Sequence, residues 1–207
     1  PPDYKFERKD TNHVDSSQRP TKREYDHYIH ILEIAKKYKY NDKKIAKFSP
    51  FLVQDPLFNS ILFKSNQSLI NLYSLIGGEE KKIKYLENKQ RLGVNSLNKK
   101  LFDLDLGAYV YYDLRNNKKL KGISSSSFSP LFCGSPDEKI AKQLGKTFNE
   151  KFNKGDKYTC SSFDTSSEKF NPKKYWRGPV WINLNWILFH GFNEYGLFDI
   201  SKKIKKD

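Results

Sequence analysis

Methionine is absent from the 207 residues, cysteine occurs twice, histidine four times and alanine four times. Without methionine, and opening on Pro1-Pro2, the sequence is expected to be an excerpt of a longer chain, in which a site assembled from distant segments is only partly present. Cys133 and Cys160 lie 27 positions apart with no second Cys or His beside either, which excludes a zinc spacing and a disulfide framework. Neither a metal nor an organic cofactor is expected. His13 and His30 have no nucleophile at a recognisable spacing, so a Ser or Cys triad has no support. No stretch approaches the ~18 uncharged apolar residues of a spanning helix, and nothing near residue 1 resembles a secretory leader. No membrane partner is therefore expected, and the expected compartment is the cytoplasm.

Arginine is also scarce. Six of the 38 basic residues are Arg, against 24 acids, so the formal charge of +14 is carried almost wholly by lysine. The lysines are spread along the chain beside abundant Asn, Ile, Tyr and Phe, a bias that any solvated surface from a low-GC genome carries. A nucleic-acid partner, which calls for bases gathered on one face, is not expected.

What is present is a succession of helix signals. Thr21 with Glu24 forms a capping-box pattern, and Tyr25, Tyr28, Ile29, Leu32 and Ala35 follow at helical spacing, predicting a helix near 22–40. Asp55-Pro56 pairs a cap with a first-turn proline ahead of a long apolar face that Gly77-Gly78 ends. A second face runs from Ile83 to Leu101, and the short connection makes the two an antiparallel hairpin. Residues 108–113 favour a strand, with Asn116-Asn117 as its turn. The serines at 124–127 predict a loop packed against something. Further helices are predicted at 136–152, from Pro179 to about 195, and from Asp199 onward. The fold class is all-α, about six helices with a small β-hairpin, in one domain spanning 1–207 with an irregular segment at 1–20.

Tyr175-Trp176-Arg177-Gly178-Pro179-Val180-Trp181 gathers two indoles, a phenol and a guanidinium at the entry to a helix. Such rings close a core or stack on the flat face of a sugar, with Arg177 supplying forked donors to hydroxyls or a carboxylate. Glycoside cleavage needs carboxylates, and Asp15, Asp55, Asp103, Asp105, Asp113, Asp164 and Glu168 are available. Each has a plainer role open to it: Asp55 as a helix cap, Asp103 and Asp105 at a helix end or turn.

Three strings carry a resemblance: His13-Val14-Asp15 through Arg19-Pro20-Thr21, Ser49-Pro50-Phe51-Leu52-Val53-Gln54-Asp55-Pro56-Leu57-Phe58-Asn59, and Tyr175 through Ile182-Asn183. Leu101-Phe102-Asp103, Tyr111-Tyr112-Asp113 and Ser162-Phe163-Asp164 support them. In order and spacing the chain resembles glycoside hydrolase family 63, in its mannosylglycerate hydrolase-like branch. The resemblance implies an (α/α)6 toroid, of which six helices are about half, and an inverting hydrolase of small α-glucosides or α-mannosides such as 2-O-glycosyl glycerates. It implies a small carbohydrate as the partner. It also implies a general-acid Asp and a general-base Glu in motifs that do not occur here, so no catalytic residue is assigned within this chain. Matched to sugar-pocket strings are Tyr175, Trp176, Arg177, Gly178 and Trp181, with Gly178 expected to let backbone approach the ligand. Gln54 and Asp55 match the start of an inner-ring helix, and His13, Arg19 and Tyr28 match a pocket-covering segment. Phe102 stands where the family often has Trp. Trimming of N-glycans or α-glucans, and a non-catalytic sugar-binding module, are the alternatives.

Overall fold

The computed structural model describes residues 1–152 and 158–206. Seven α-helices occur among them. Helix α1 (Lys22–Lys37) starts on the capping box: Thr21 accepts from the Glu24 N–H, and Glu24 accepts from the Thr21 N–H at 2.6 Å. A tight turn through Lys39 and Tyr40 leads to α2 (Asp42–Phe48), capped by Asn41 and closed by a Tyr38–Phe48 stack at 4.7 Å. This helix escaped the sequence reading because seven residues are too few to display a period. Helix α3 (Pro56–Ile76) begins on Asp55, whose carboxylate accepts from the Leu57 and Phe58 N–H groups. Helix α4 (Glu80–Leu101) returns beside it, so the predicted hairpin is present, and their contact is close: a Cβ on Gly93 would stand 2.5 Å from the Phe63 ring.

Two small antiparallel sheets follow. Strands β1 (Val53–Gln54), β4 (Tyr111–Asp113) and β5 (Lys118–Leu120) form one in the order β1-β4-β5, while β2 (Phe102–Asp103) pairs with β3 (Ala108–Tyr109). The predicted hairpin is the β4–β5 pair, with Asn117 in the left-handed region at its turn. The expectation of a single hairpin is thus corrected. Strand β1 joins it from more than fifty residues upstream, a pairing that no local pattern encodes.

The serine-rich patch is also more than a loop. Ser125–Cys133 is a 3-10 helix lying at the centre of the molecule, with Phe128 and Leu131 wholly buried. Phe128 meets Phe148 at 5.0 Å, Phe152 at 5.4 Å and Phe192 at 6.0 Å, which gives the core an aromatic centre. Around it pack α3, α5 (Glu138–Lys151) and α6 (Ile182–Glu194), with α7 (Phe198–Lys206) packed on α6. Helix α6 begins three residues later than expected: Pro179 lies before the helix, in an extended stretch bridged at Val180 to Ser161, and Trp181 is the cap position. The molecule is mostly helical with small antiparallel sheets. No described helix is long and apolar enough to cross a membrane, and no described group of three His, Cys, Asp or Glu side chains is arranged to hold a metal.

Candidate sugar-binding site

The aromatic string folds back on itself. The Trp176 and Trp181 rings stack with centroids 4.9 Å apart at 25°, and Tyr175 meets the edge of Trp176 at 5.5 Å and of Trp181 at 4.6 Å. The Trp181 indole N–H donates to the Tyr175 carbonyl at 3.1 Å and closes the loop that carries them. The large rings are not spent on the core, since Tyr175 is 49% and Trp176 54% exposed.

Facing them is the N-terminal face of α1 with the segment that leads into it. That segment is tied down by the Tyr4 N–H donating to Asp26 at 3.0 Å, by Tyr4 Oη against His30 Nδ1 at 3.0 Å, and by Phe6 packed on Tyr25 at 5.5 Å. Arg8 lies over the Tyr25 ring at 4.8 Å and forks onto Asp10, whose carboxyl is held down to about 2 by that pairing. The result is a cavity of about 480 Å³, within the range of small-molecule sites. Its walls include Arg19, Tyr25 and Tyr28 on one side and Lys174, Tyr175, Trp176 and Arg177 on the other.

The charge of this cavity is unbalanced. Arg19, Lys174 and Arg177 oppose the single carboxylate of Glu24, which the Thr21 N–H and hydroxyl keep below the ordinary carboxylate range. The Arg19 Nε is buried without a hydrogen-bond partner among the described residues. A buried charged donor without a partner is costly.

Of the residues predicted from sequence, Arg19, Tyr28, Tyr175, Trp176 and Arg177 line this one cavity, and Trp181 backs it through the stack. Gly178 has a different reason to be glycine from the one expected. A Cβ there would stand 2.1 Å from the Asn171 carbonyl oxygen, so the close approach is to the chain's own turn. His13 is exposed on the preceding turn and does not line the cavity. Gln54 and Asp55 sit elsewhere, at the β1–α3 junction. Burial pushes the Asp55 carboxyl up, against two backbone N–H groups that pull it down, and the Gln54 Oε1 is buried without a partner among the described residues. Tyr25, Glu24 and Lys174 were not foreseen in the cavity. Tyr25 stands three positions before Tyr28 and meets it edge-on at 5.9 Å, a shared helix face that the spacing already contained.

Residues 2–207 match the family described as mannosylglycerate hydrolase MGH1-like glycoside hydrolase domain. The chain belongs to this family of glycoside hydrolases. It is 34% identical over 202 residues to the mannosylglycerate hydrolase of Thermus thermophilus, covering 98% of this chain and 48% of that protein. It is 28% identical over 201 residues to the glucosylglycerate hydrolase of Mycolicibacterium hassiacum, covering 94% of this chain and 44% of that protein. The chain therefore spans about half the length of the curated relatives it matches. Among solved structures, a GH63 mannosylglycerate hydrolase from Thermus thermophilus in complex with glucose superposes with a TM-score of 0.89 at 34% identity, covering 100% of this chain and 48% of that one. The same enzyme with Tris and D-glycerate gives 0.88. The yeast neutral trehalase Nth1, at 13% identity and a TM-score of 0.62, shares the fold alone.

Proposed function

We propose that this chain supplies the pocket wall of an inverting glycoside hydrolase acting on a glucosyl- or mannosylglycerate, built as about half of an (α/α)6 toroid. The observation that carries the reading is the cavity itself, a stacked indole pair beside an excess of cations over carboxylates. Indole faces suit the apolar face of a pyranose, while Arg19 and Arg177 suit the carboxylate of a glycerate aglycone. A neutral glycan end would leave that cationic excess unanswered. In an inverting mechanism one carboxylic acid protonates the leaving oxygen while a second carboxylate activates water across the ring, the two about 6.5–9.5 Å apart. Neither group is assigned to these residues; both are expected from sequence outside them. This chain's part is to bind, orient and exclude water. Segment 1–20, tied onto α1, covers one side of the pocket. Cytoplasmic placement belongs to the same proposal, supported by Cys133 and Cys160 being buried free thiols.

The test is hydrolysis of a panel of α-glucosides and α-mannosides, glyceryl ones included, by the full-length protein and its Trp176→Ala variant. Turnover of glycerate-linked sugars that drops about thirtyfold or more in the variant, the size of a lost hot-spot residue, is the expected result. A variant as active as its parent contradicts the pocket assignment. A well-folded parent that binds sugars without turnover points to a sugar-binding module instead.

A further inference from the structure

The string Ser162-Phe163-Asp164 stands out in the sequence, yet none of the three lines the cavity. Asp164 is absorbed locally, accepting from the Ser166 N–H at 2.8 Å and hydroxyl at 2.7 Å, with Lys151 at 3.4 Å. Ser162 is used differently. It is 2% exposed, and its three polar groups tie it to two other segments. Its carbonyl accepts from the Ser125 N–H at 3.2 Å, on the central 3-10 helix, and its N–H donates to the Pro179 carbonyl at 3.0 Å. Its hydroxyl oxygen accepts from the Gly178 N–H at 3.0 Å.

That last bond bears on the cavity. The Gly178 N–H and the Arg177 carbonyl belong to one peptide unit, and the carbonyl accepts from the Asn171 N–H at 2.8 Å. The plane is held at both edges, by Ser162 on the core side and by Asn171 on the turn side. It directly follows the Cα of Arg177, and the Arg177 N–H is itself held by the Lys174 carbonyl at 2.9 Å. A peptide so fixed leaves the residue before it little freedom. A Cβ at Gly178 would collide with Asn171 and Pro172 of the turn, Val180 bridges to Ser161, and the indole stack rises from the loop so anchored.

We propose that Ser162 is a positioning residue for the sugar pocket: by holding the Arg177–Gly178 peptide it aims the Arg177 guanidinium and fixes the Trp176–Trp181 stack. The inference rests on the glycoside hydrolase reading for its effect on activity, while its effect on the indole pair is independent of that reading.

The experiment uses the full-length protein and reads two quantities in Ser162→Ala and Ser162→Thr. The first is the KM and kcat for a glycosylglycerate. The second is the circular-dichroism exciton couplet of the stacked indoles, taken as the difference between each protein and its Trp176→Phe counterpart. Ser162→Ala leaves a buried N–H unpaired, and we expect KM to rise about tenfold while kcat changes by less than about threefold, with the couplet clearly diminished. Ser162→Thr retains the acceptor and restores both. A Ser162→Ala protein with parental KM and couplet overturns the proposal, and so does one whose melting temperature falls while both stay unchanged. If the alanine variant does not fold, Ser162→Cys, whose sulfur is a weak acceptor, takes its place. An intermediate couplet supports the proposal and a parental one overturns it. If the parent turns over no glycosylglycerate, the hydrolase reading fails while the couplet still decides the role of Ser162.

Discussion

Asp55 serves as a helix cap at the cost of burial. Its carboxylate accepts from two N–H groups at the start of α3, no Lys or Arg pairs with it among the described residues, and its carboxyl is pushed up by desolvation. A carboxyl whose folded pKa is raised holds its proton to higher pH in the folded state than in the unfolded chain. Its contribution to stability therefore declines as pH rises from the ordinary value of 3.8 through the higher folded value, and stays lowered above it. Asparagine caps as well and carries no charge, whereas alanine cannot cap. Asp55→Ala is expected to lose about 1 kcal/mol at neutral pH, and Asp55→Asn to be at least as stable as the parent with a flatter pH dependence. Urea unfolding across pH 4–8 checks both, and equal loss in the two variants contradicts the account. The opposite sign holds for Asp10, which Arg8 keeps ionised: its contribution is full above the ordinary value of 3.8 and is lost as pH falls from there through about 2. The aromatic residues of the cavity were legible because four polar-tipped side chains in seven residues demand partners. Glu24 and Tyr25 were less so, since cap and helix-face signals account for each of them without reference to a site.

At the scale of elements, what could be read was what is local. The caps at Thr21 and Asp55 and the glycine stop after Ile76 are each written within a few residues, and the helices they bound fall where expected. The central 3-10 helix was missed because its serines and Pro130 show no helical period. Its burial is supplied by α3 and α6, tens of residues away in sequence: Ser60 and Ser129 hydroxyls meet at 3.3 Å, and Gln67 donates to the Cys133 carbonyl at 2.9 Å. Strand β1 was missed for the same reason. The α3–α4 hairpin offers a test of packing against propensity. Gly93→Ala gains about 1 kcal/mol of helix propensity, yet its Cβ would meet the buried Phe63 ring at 2.5 Å, and overpacking costs about 1–3 kcal/mol. The variant is expected to melt below the parent, and Gly93→Ala with Phe63→Leu to recover part of the loss. A higher melting temperature for the single variant means that the helices are not in close contact at Gly93.

For the whole molecule, the distribution of apolar surface matters more than its amount. Helix α3 leaves Phe58 76%, Leu75 84% and Ile76 77% exposed, and Ile182 and Trp186 on α6 are exposed as well. Faces of this size are normally covered in a monomer. The chain spans about half the length of relatives that it matches at 34% identity. Residues 1–207 alone are expected to self-associate, with sedimentation showing concentration-dependent species. A monodisperse monomer with one cooperative melt contradicts this. The lysine-rich exterior, +14 overall, does not alter the expectation, because its charges lie along the whole chain and are not gathered on those faces.

The proposed function rests on a cavity that pairs an indole stack, suited to a sugar, with an excess of cations, suited to an acid. The measurement is the ratio of kcat/KM for a glycosylglycerate to that for the matching glycosylglycerol, in the full-length protein and in Arg19→Ala and Arg177→Ala. Charge-assisted hydrogen bonds to the carboxylate predict a ratio of about ten or more in the parent and a fall toward one in the arginine variants. A ratio near one in the parent, or one that both variants leave untouched, would contradict it.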